Sequence, residues 1–277
     1  MLKNKVIISI VVATYNSENT IRCLIQSILR QEYDYYELII VDGCSTDSTI
    51  DIIKEYEDAF SGSLKYISES DSGIYDAWNK GVSISSGIYI LFLGADDYFV
   101  DNALSKMHNV LIENINNNVI IAAEIQFKEK NDKVYDLKIS DKLIEYKIRR
   151  YIMPVRQMAT FYPKKIYDEI GFYDISYKIV GDYDFVYRAI FNGYVIKAVD
   201  IIIGVMSTGG MSNNNALFDV KMKEFIYFYR KHKKHVSNFR YIRYCVRMYV
   251  SFAIKKKMPI LVSVYRNFFF DHYKIKK

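Results

Sequence analysis

The chain has 277 residues, half of them hydrophobic and a quarter charged, with only 3 Pro and 12 Gly. That composition excludes a disordered, collagenous or low-complexity protein and suits one sizeable α/β domain with an appendage. Three scattered cysteines, Cys23, Cys44 and Cys245, exclude a disulfide framework or a cysteine zinc site and fit a reducing compartment. The net charge of +6 conceals an asymmetry. From Leu217 onward there are 16 Lys/Arg against 3 Asp/Glu, a balance of +13, while the first 216 residues carry 22 against 29, a balance of −7. The expected division is therefore 1–216 as the body and 217–277 as a basic, aromatic helical tail.

In chain order, "VIISIVV" reads as a buried first strand rather than a signal peptide, because a polar turn and a helix follow it. Ile21, Leu24, Ile25, Ile28 and Leu29 fall on one helical face. "ELIIVD" predicts a second strand, "STDSTIDIIKEY" a capped helix, "LKYISE" a third strand, "IYDAWNKGVSIS" a helix and "IYILFL" a fourth strand. Alternation of this period predicts a Rossmann-like, mostly parallel sheet with helices on both faces. From about residue 118 the pattern loosens into shorter strands and loops, followed by a helix at "DYDFVYRAIFN" and a strand at "VIKAVDIIIGV".

Polar groups cluster where these strands end: Thr14-Tyr15-Asn16, Asp42-Gly43, Glu69 with Asp71 and Gly73, and Asp96-Asp97. In a parallel sheet all four lie along the edge where ligands bind. Read singly, each has a plainer explanation: Asp42 or Asp96 can cap a turn, and Asp76 with Lys80 can be an i,i+4 surface pair.

The segments "SIVVATYNSENTI", "LIIVDGCSTDSTIDII", "ESDSGIYDAWNKGV" and "GIYILFLGADD", in this order and spacing, resemble family 2 glycosyltransferases of the GT-A fold. The resemblance is to the enzymes that build bacterial capsule, O-antigen and colanic-acid-type polysaccharides. It resumes at "MPVRQMATFY" and "YKIVGDYDFVYRAIFNG" and fades beyond "TGGMS". It implies a nucleotide-sugar half at about 1–100, an acceptor half at about 101–216, and inverting transfer from a nucleotide-diphosphate sugar, a UDP-sugar foremost. The acceptor would be a saccharide or a lipid-linked saccharide. A departing diphosphate gains charge and needs a cation, so Mn²⁺ or Mg²⁺ is the expected cofactor.

By the resemblance, Asp96 meets the metal, with Asp97 as a second candidate. Gly94 stands where relatives often carry the first Asp of an Asp-X-Asp element, and this leaves room for a catalytically weak, nucleotide-sugar-binding partner subunit as an alternative. Thr14, Tyr15 and Asn16 would line the base pocket, and Asp42 would accept a hydrogen bond from the base. Asp71 and Asp76 would face the ribose and sugar–phosphate region, with Asn79 and Lys80 nearby. Asp182, opening the "DYDFVYRAIFN" helix, matches the general base; Arg156, Gln157 and Asp184 fall on the acceptor side. Arg156 replaces a His that is frequent in relatives.

The tail lacks an apolar run long enough to span a bilayer. Lys/Arg interleaved with Tyr, Phe and Met suits an anionic membrane surface, which implies a peripheral protein on the inner face of a bacterial plasma membrane. The same composition fits packing on the body or binding of single-stranded nucleic acid. The membrane is taken over both, and no nucleic-acid partner is expected.

Overall fold

The computed structural model describes residues 5–129, 132–207, 217–239, 241–243, 246 and 250. The first four strands are β1 (Ile8–Thr14), β2 (Tyr36–Asp42), β3 (Leu64–Ser68) and β4 (Tyr89–Gly94). They pair in parallel in the order β3-β2-β1-β4. The connecting helices are α1 (Ile21–Leu29), α2 (Thr49–Glu55) and α3 (Ile74–Ile84). Side chains alternate across the strands as the period-2 pleat requires. In β1, Ile8, Ile10 and Val12 enter one core layer and Val11 the other.

The second half corrects the expectation of short strands and a mostly parallel sheet. It contains β5 (Tyr98–Phe99), β6 (Val119–Lys128), β7 (Val134–Leu137), β8 (Thr160–Pro163) and β9 (Val195–Ser207). The sheet continues from β4 through β8, β6 and β9 to β5, and β7 pairs on β6. β8 runs antiparallel to both β4 and β6, while β6 and β9 are parallel, so the sheet is mixed. β6 is ten residues long because Ile120 to Glu124 are buried; the lone acid, Glu124, sits at a register shift against β9. A bulge of this kind turns a polar side chain where a regular pleat would not.

Two layers cover the sheet. α1, α2 and α4 (Ala103–Glu113) pack on one face. The other is covered by α3, α5 (Asp141–Ile148), α6 (Lys165–Ile170), α7 (Gly181–Phe191) and α8 (Phe218–His232). α8 opens the basic segment, and its Phe225 and Phe228 are buried with the aromatic rings of α7. Among the described residues no helix is long and apolar enough to cross a membrane.

At the sheet edge away from the strand C-termini, the buried Glu37 ties three segments together. It accepts from Ser9 Oγ at 2.6 Å, from the Ser86 and Gly87 backbone N–H groups, and from Lys65 Nζ at 2.7 Å. Burial alone would raise its pKa, but Lys65, Ser9 and Ser86 hold it below the ordinary value. Glu37→Ala strands several of these donors and should cost about 3 kcal/mol or more. A lowered carboxylate contributes stability above its unfolded pKa and loses it as pH falls through the folded one. Urea titrations should therefore show the gap between wild type and variant closing in acid; a gap that persists there contradicts an ionised Glu37.

Candidate functional site

The register places the strand ends side by side. Thr14 is opposite Asp42, Asp42 opposite Ser68, and Ala13 opposite Gly94. The expected edge therefore exists, but its residues divide into those spent on the protein and those presented outward. The loops after β1 and β2 are zipped together. Thr46 N–H donates to Asn16 Oδ1 at 2.8 Å, Asn16 N–H to Ser45 Oγ at 2.7 Å, and Ser17 N–H to Thr49 Oγ1 at 2.8 Å. Asn16, at φ +48°, takes the left-handed region that Asn tolerates in a turn. Asp42 is buried and accepts from Ser45 N–H, Ser45 Oγ and Ser68 Oγ. Asn16 and Asp42 thus build the loops.

Tyr15 and Asp71 are presented. The Tyr15 ring is 62% exposed. A Cβ on Gly43 would stand 2.8 Å from Asp71 Oδ2 and 3.6 Å from Tyr15 Cδ2, so Gly43 opens the space in which ring and carboxylate meet. Thr14 Oγ1 is buried without a hydrogen-bond partner among the described residues. Asp71 Oδ1 accepts from Gly73 N–H at 2.9 Å. Lys80 Nζ, 2.9 Å from Glu69 Oε1 and donating to Ser70 O at 2.7 Å, pins the same loop, while Asp76 Oδ2 accepts from Ser72 N–H. Asn79 faces elsewhere. Both ends of its amide bind the Tyr173 backbone, at 2.9 and 3.0 Å, and so join α3 to the acceptor half.

At the end of β4, Gly94 N–H donates to Asp97 Oδ2 at 3.0 Å, and Asp97 N–H donates to Gly94 O. Asp97 is buried and closes the turn, whereas Asp96 is exposed. A Cβ at position 94 would lie 2.8 Å from Asp96 Oδ1 and 3.1 Å from Asp97 Oδ2. A side chain at position 94 would therefore require the Asp96 carboxylate to rotate away. Among the described residues no three His, Cys, Asp or Glu side chains converge as a metal cage. One exposed carboxylate, Asp96, still fits Mg²⁺ or Mn²⁺, hard cations commonly held by one or two carboxylates and the substrate.

Asp182 opens α7 on the same edge. Its Oδ1 accepts from Tyr183 N–H at 2.8 Å and from Tyr75 OH at 3.3 Å, while Oδ2 has no hydrogen-bond partner among the described residues. Burial pushes this carboxyl up to about 6, against the opposing pull of Tyr183 N–H, Tyr75 OH and the Lys221 charge. Asp184 turns the other way. Fully buried, it meets Arg188 Nε at 2.7 Å, His232 Nε2 at 2.8 Å and Tyr177 OH at 3.3 Å. Burial opposes its ionisation, but His232, Arg188 and Lys231 hold it low. It locks α7 to α8 and so anchors the helix. Gln157 Oε1 accepts from Tyr162 OH at 2.8 Å, leaving Nε2 buried without a partner among the described residues. Arg156 is half-buried beside it.

Sequence reasoning missed Tyr75, Lys221 and Glu224. Glu224 accepts from three consecutive N–H groups, those of Lys178, Ile179 and Val180, at 2.7 to 3.0 Å. The available signal was an acid set among the apolar residues of a basic helix, flanked by Phe225 and Phe228.

The glycosyl transferase family 2 profile matches residues 9–173. A PGL/p-HBAD biosynthesis glycosyltransferase of Mycobacterium tuberculosis is 29% identical over 211 residues, which are 74% of this chain and 78% of that protein. TuaG of Bacillus subtilis, named for teichuronic acid biosynthesis, is 34% identical over 109 residues, 39% of this chain and 43% of that one. Among solved structures, S. aureus TarS 1–349 with UDP-GlcNAc superposes with a TM-score of 0.60 at 20% identity, covering 79% of this chain and 66% of that one. Against a longer TarS chain the match spans 39% of that chain's length. A Pyrobaculum calidifontis mannosyltransferase with GDP-Man and Mn²⁺ gives 0.62 at 14%, covering 86% and 67%. These structures share the fold. With the profile covering more than half of its length, the chain belongs to glycosyl transferase family 2.

Proposed function

We propose that the protein is an inverting glycosyltransferase that moves a sugar from a UDP-sugar to an acceptor hydroxyl in the assembly of a cell-surface polysaccharide or glycolipid. The observation that carries this reading is Asp182: a carboxylate with a raised pKa, one oxygen anchored by two donors and the other without a hydrogen-bond partner among the described residues. An acceptor hydroxyl must lose its proton as its oxygen bonds the anomeric carbon and the bond to the diphosphate breaks. Asp182 Oδ2 takes that proton. A pKa of about 6 makes it a stronger base than an ordinary carboxylate, yet leaves it ionised at neutral pH. Tyr183 N–H and Tyr75 OH fix its orientation.

Tyr15 supplies a ring face for the base, and Asp71 an acceptor for nucleoside donors. Support for a uridine donor comes from the fold shared with the UDP-GlcNAc complex of TarS. The naming of relatives for teichuronic acid and PGL/p-HBAD biosynthesis supports the acceptor class. A divalent ion at Asp96, when bound, would neutralise the charge that develops on the departing diphosphate.

Asp182→Asn keeps the shape but cannot accept the proton. Transfer should fall by a factor on the order of 10² to 10⁴. Calorimetric binding of UDP with Mn²⁺ should persist, since it rests on the other strand ends. The variant should melt no lower than wild type at neutral pH, because burial opposes ionisation of the carboxyl it replaces. Asp184→Asn should instead lower the melting temperature, and Asp96→Ala should weaken Mn²⁺-dependent UDP binding. An Asp182→Asn enzyme with wild-type turnover overturns the assignment.

We further propose that the basic segment meets an anionic membrane. Phe239, Ile242, Val246 and Val250 recur at intervals of three and four and are 48 to 75% exposed. Arg240, Arg243 and Arg247 lie among them in sequence. Apolar residues at helical spacing with interleaved cations suit an interfacial helix. The protein should sediment with phosphatidylglycerol vesicles and be released by salt; equal partition to neutral vesicles, or none, contradicts this.

A further inference from the structure

Two half-buried cations flank the segment that leads into β8. Arg156 precedes the short turn that leads into β8, and because β8 runs antiparallel to β4, with Pro163 opposite Tyr89, this start lies toward the C-terminal end of β4; on β6 it faces Ala122. Its side chain is half-buried, and none of the described residues hydrogen-bonds the guanidinium. Lys147, in the last turn of α5, is half-buried too, and its only hydrogen bond among the described residues is a long one, 3.5 Å, to Pro154 O. The adjoining backbone is fixed on α7: Tyr183 OH donates to Tyr151 O at 2.8 Å and Tyr187 OH to Ile152 O at 3.1 Å.

Glu124, the acid whose charge acts on Arg156, is shared with other groups. Glu124 Oε2 pairs with Lys138 Nζ at 2.7 Å, and its Oε1 accepts from Ile139 N–H at 3.1 Å. The two cations feel their surroundings accordingly. Burial, then the Arg156 charge, lowers Lys147 to about 8, and burial lowers Arg156 with only Glu124 opposing. Two like charges partly out of water cost free energy unless a ligand uses them. A third donor points to a ligand independently: Gln157 Nε2 is buried without a hydrogen-bond partner among the described residues.

We propose that Lys147 and Arg156 form a binding site for a phosphoryl group carried by the acceptor. This rests on the transferase reading and sharpens it, because the acceptor then bears a phosphate or diphosphate near the sugar that is extended. β9, on which α5 packs, also pairs with β5 directly after the Asp96–Asp97 turn. What associates the pair with the acceptor is α7: the adjoining Tyr151–Ile152 backbone is held by Tyr183 and Tyr187, on the helix that Asp182 opens.

The test is calorimetric titration of the full chain with two probes, geranyl diphosphate for the acceptor and UDP with Mn²⁺ for the donor, at fixed ionic strength. Lys147→Gln/Arg156→Gln should weaken geranyl diphosphate by about 10- to 100-fold, as loss of charge-assisted hydrogen bonds does. UDP should stay within about twofold. Arg156→Lys keeps the charge and should retain most of the geranyl diphosphate affinity, which separates a binding role from a folding defect. Weakened UDP with unchanged geranyl diphosphate would give the pair to the donor and overturn the proposal. Unchanged binding of both would remove the site altogether. Neither readout requires turnover, so a protein that needs the pair to hold geranyl diphosphate but transfers no sugar would refute the transferase reading alone.

Discussion

The Glu224 carboxylate accepts the N–H groups of Lys178, Ile179 and Val180, the three residues that lead into α7. Those N–H groups would otherwise be costly to bury, and satisfying them fixes the chain just before the residue that opens toward the ligand edge. One turn earlier on the same helix is Lys221, whose charge acts on Asp182. About two turns later, Lys231 and His232 reach Asp184. A single helix of the basic segment therefore sets the position, the charge environment and the anchoring of α7. The first turn of that segment is part of the site.

The two halves of the edge are built on different principles. At the ends of the parallel strands, hydrogen bonds from Thr46, Ser45 and Ser68 consume Asn16 and Asp42, while Tyr15 and Asp96 stay exposed. Around the start of α7 the support is aromatic. Tyr75 stacks on Tyr173, Tyr173 on Phe185, and Trp78 and Phe92 close the cluster. Such rings bury large areas while leaving a hydroxyl at the margin. Tyr75 OH, at that margin, is the one that meets Asp182.

Much of this was legible in the sequence where period and position carry the information. The alternation of the first hundred residues gives four parallel strands, and the shared end of those strands gives the edge. Asp96 stands at a strand end and Asp182 at a helix start, but it is the family resemblance, not the position, that singles them out. What sequence could not supply was the direction of each side chain. Asp182 and Asp184 are two residues apart on one helix, yet one faces the edge and the other α8, because i and i+2 lie on nearly opposite sides. Asp42 and Asp71 look equally exposed as letters; Ser45 and Ser68 close over the first. β6 and β8 were missed because their partners lie far away in the chain, and no local pattern reports an antiparallel insertion into a parallel sheet.

The central claim is that a half-buried, raised carboxylate at the start of α7 accepts the acceptor's proton. The most direct test is the pH dependence of kcat for wild-type transfer with saturating donor, metal and acceptor. Protonated Asp182 cannot act as base, so the rate should climb with pH through a midpoint of about 6 and then level. Tyr75→Phe removes a donor that favours the ionised form, and should move that midpoint upward. A midpoint near 4, the ordinary carboxylate value, or a midpoint that Tyr75→Phe leaves unmoved, would contradict the account.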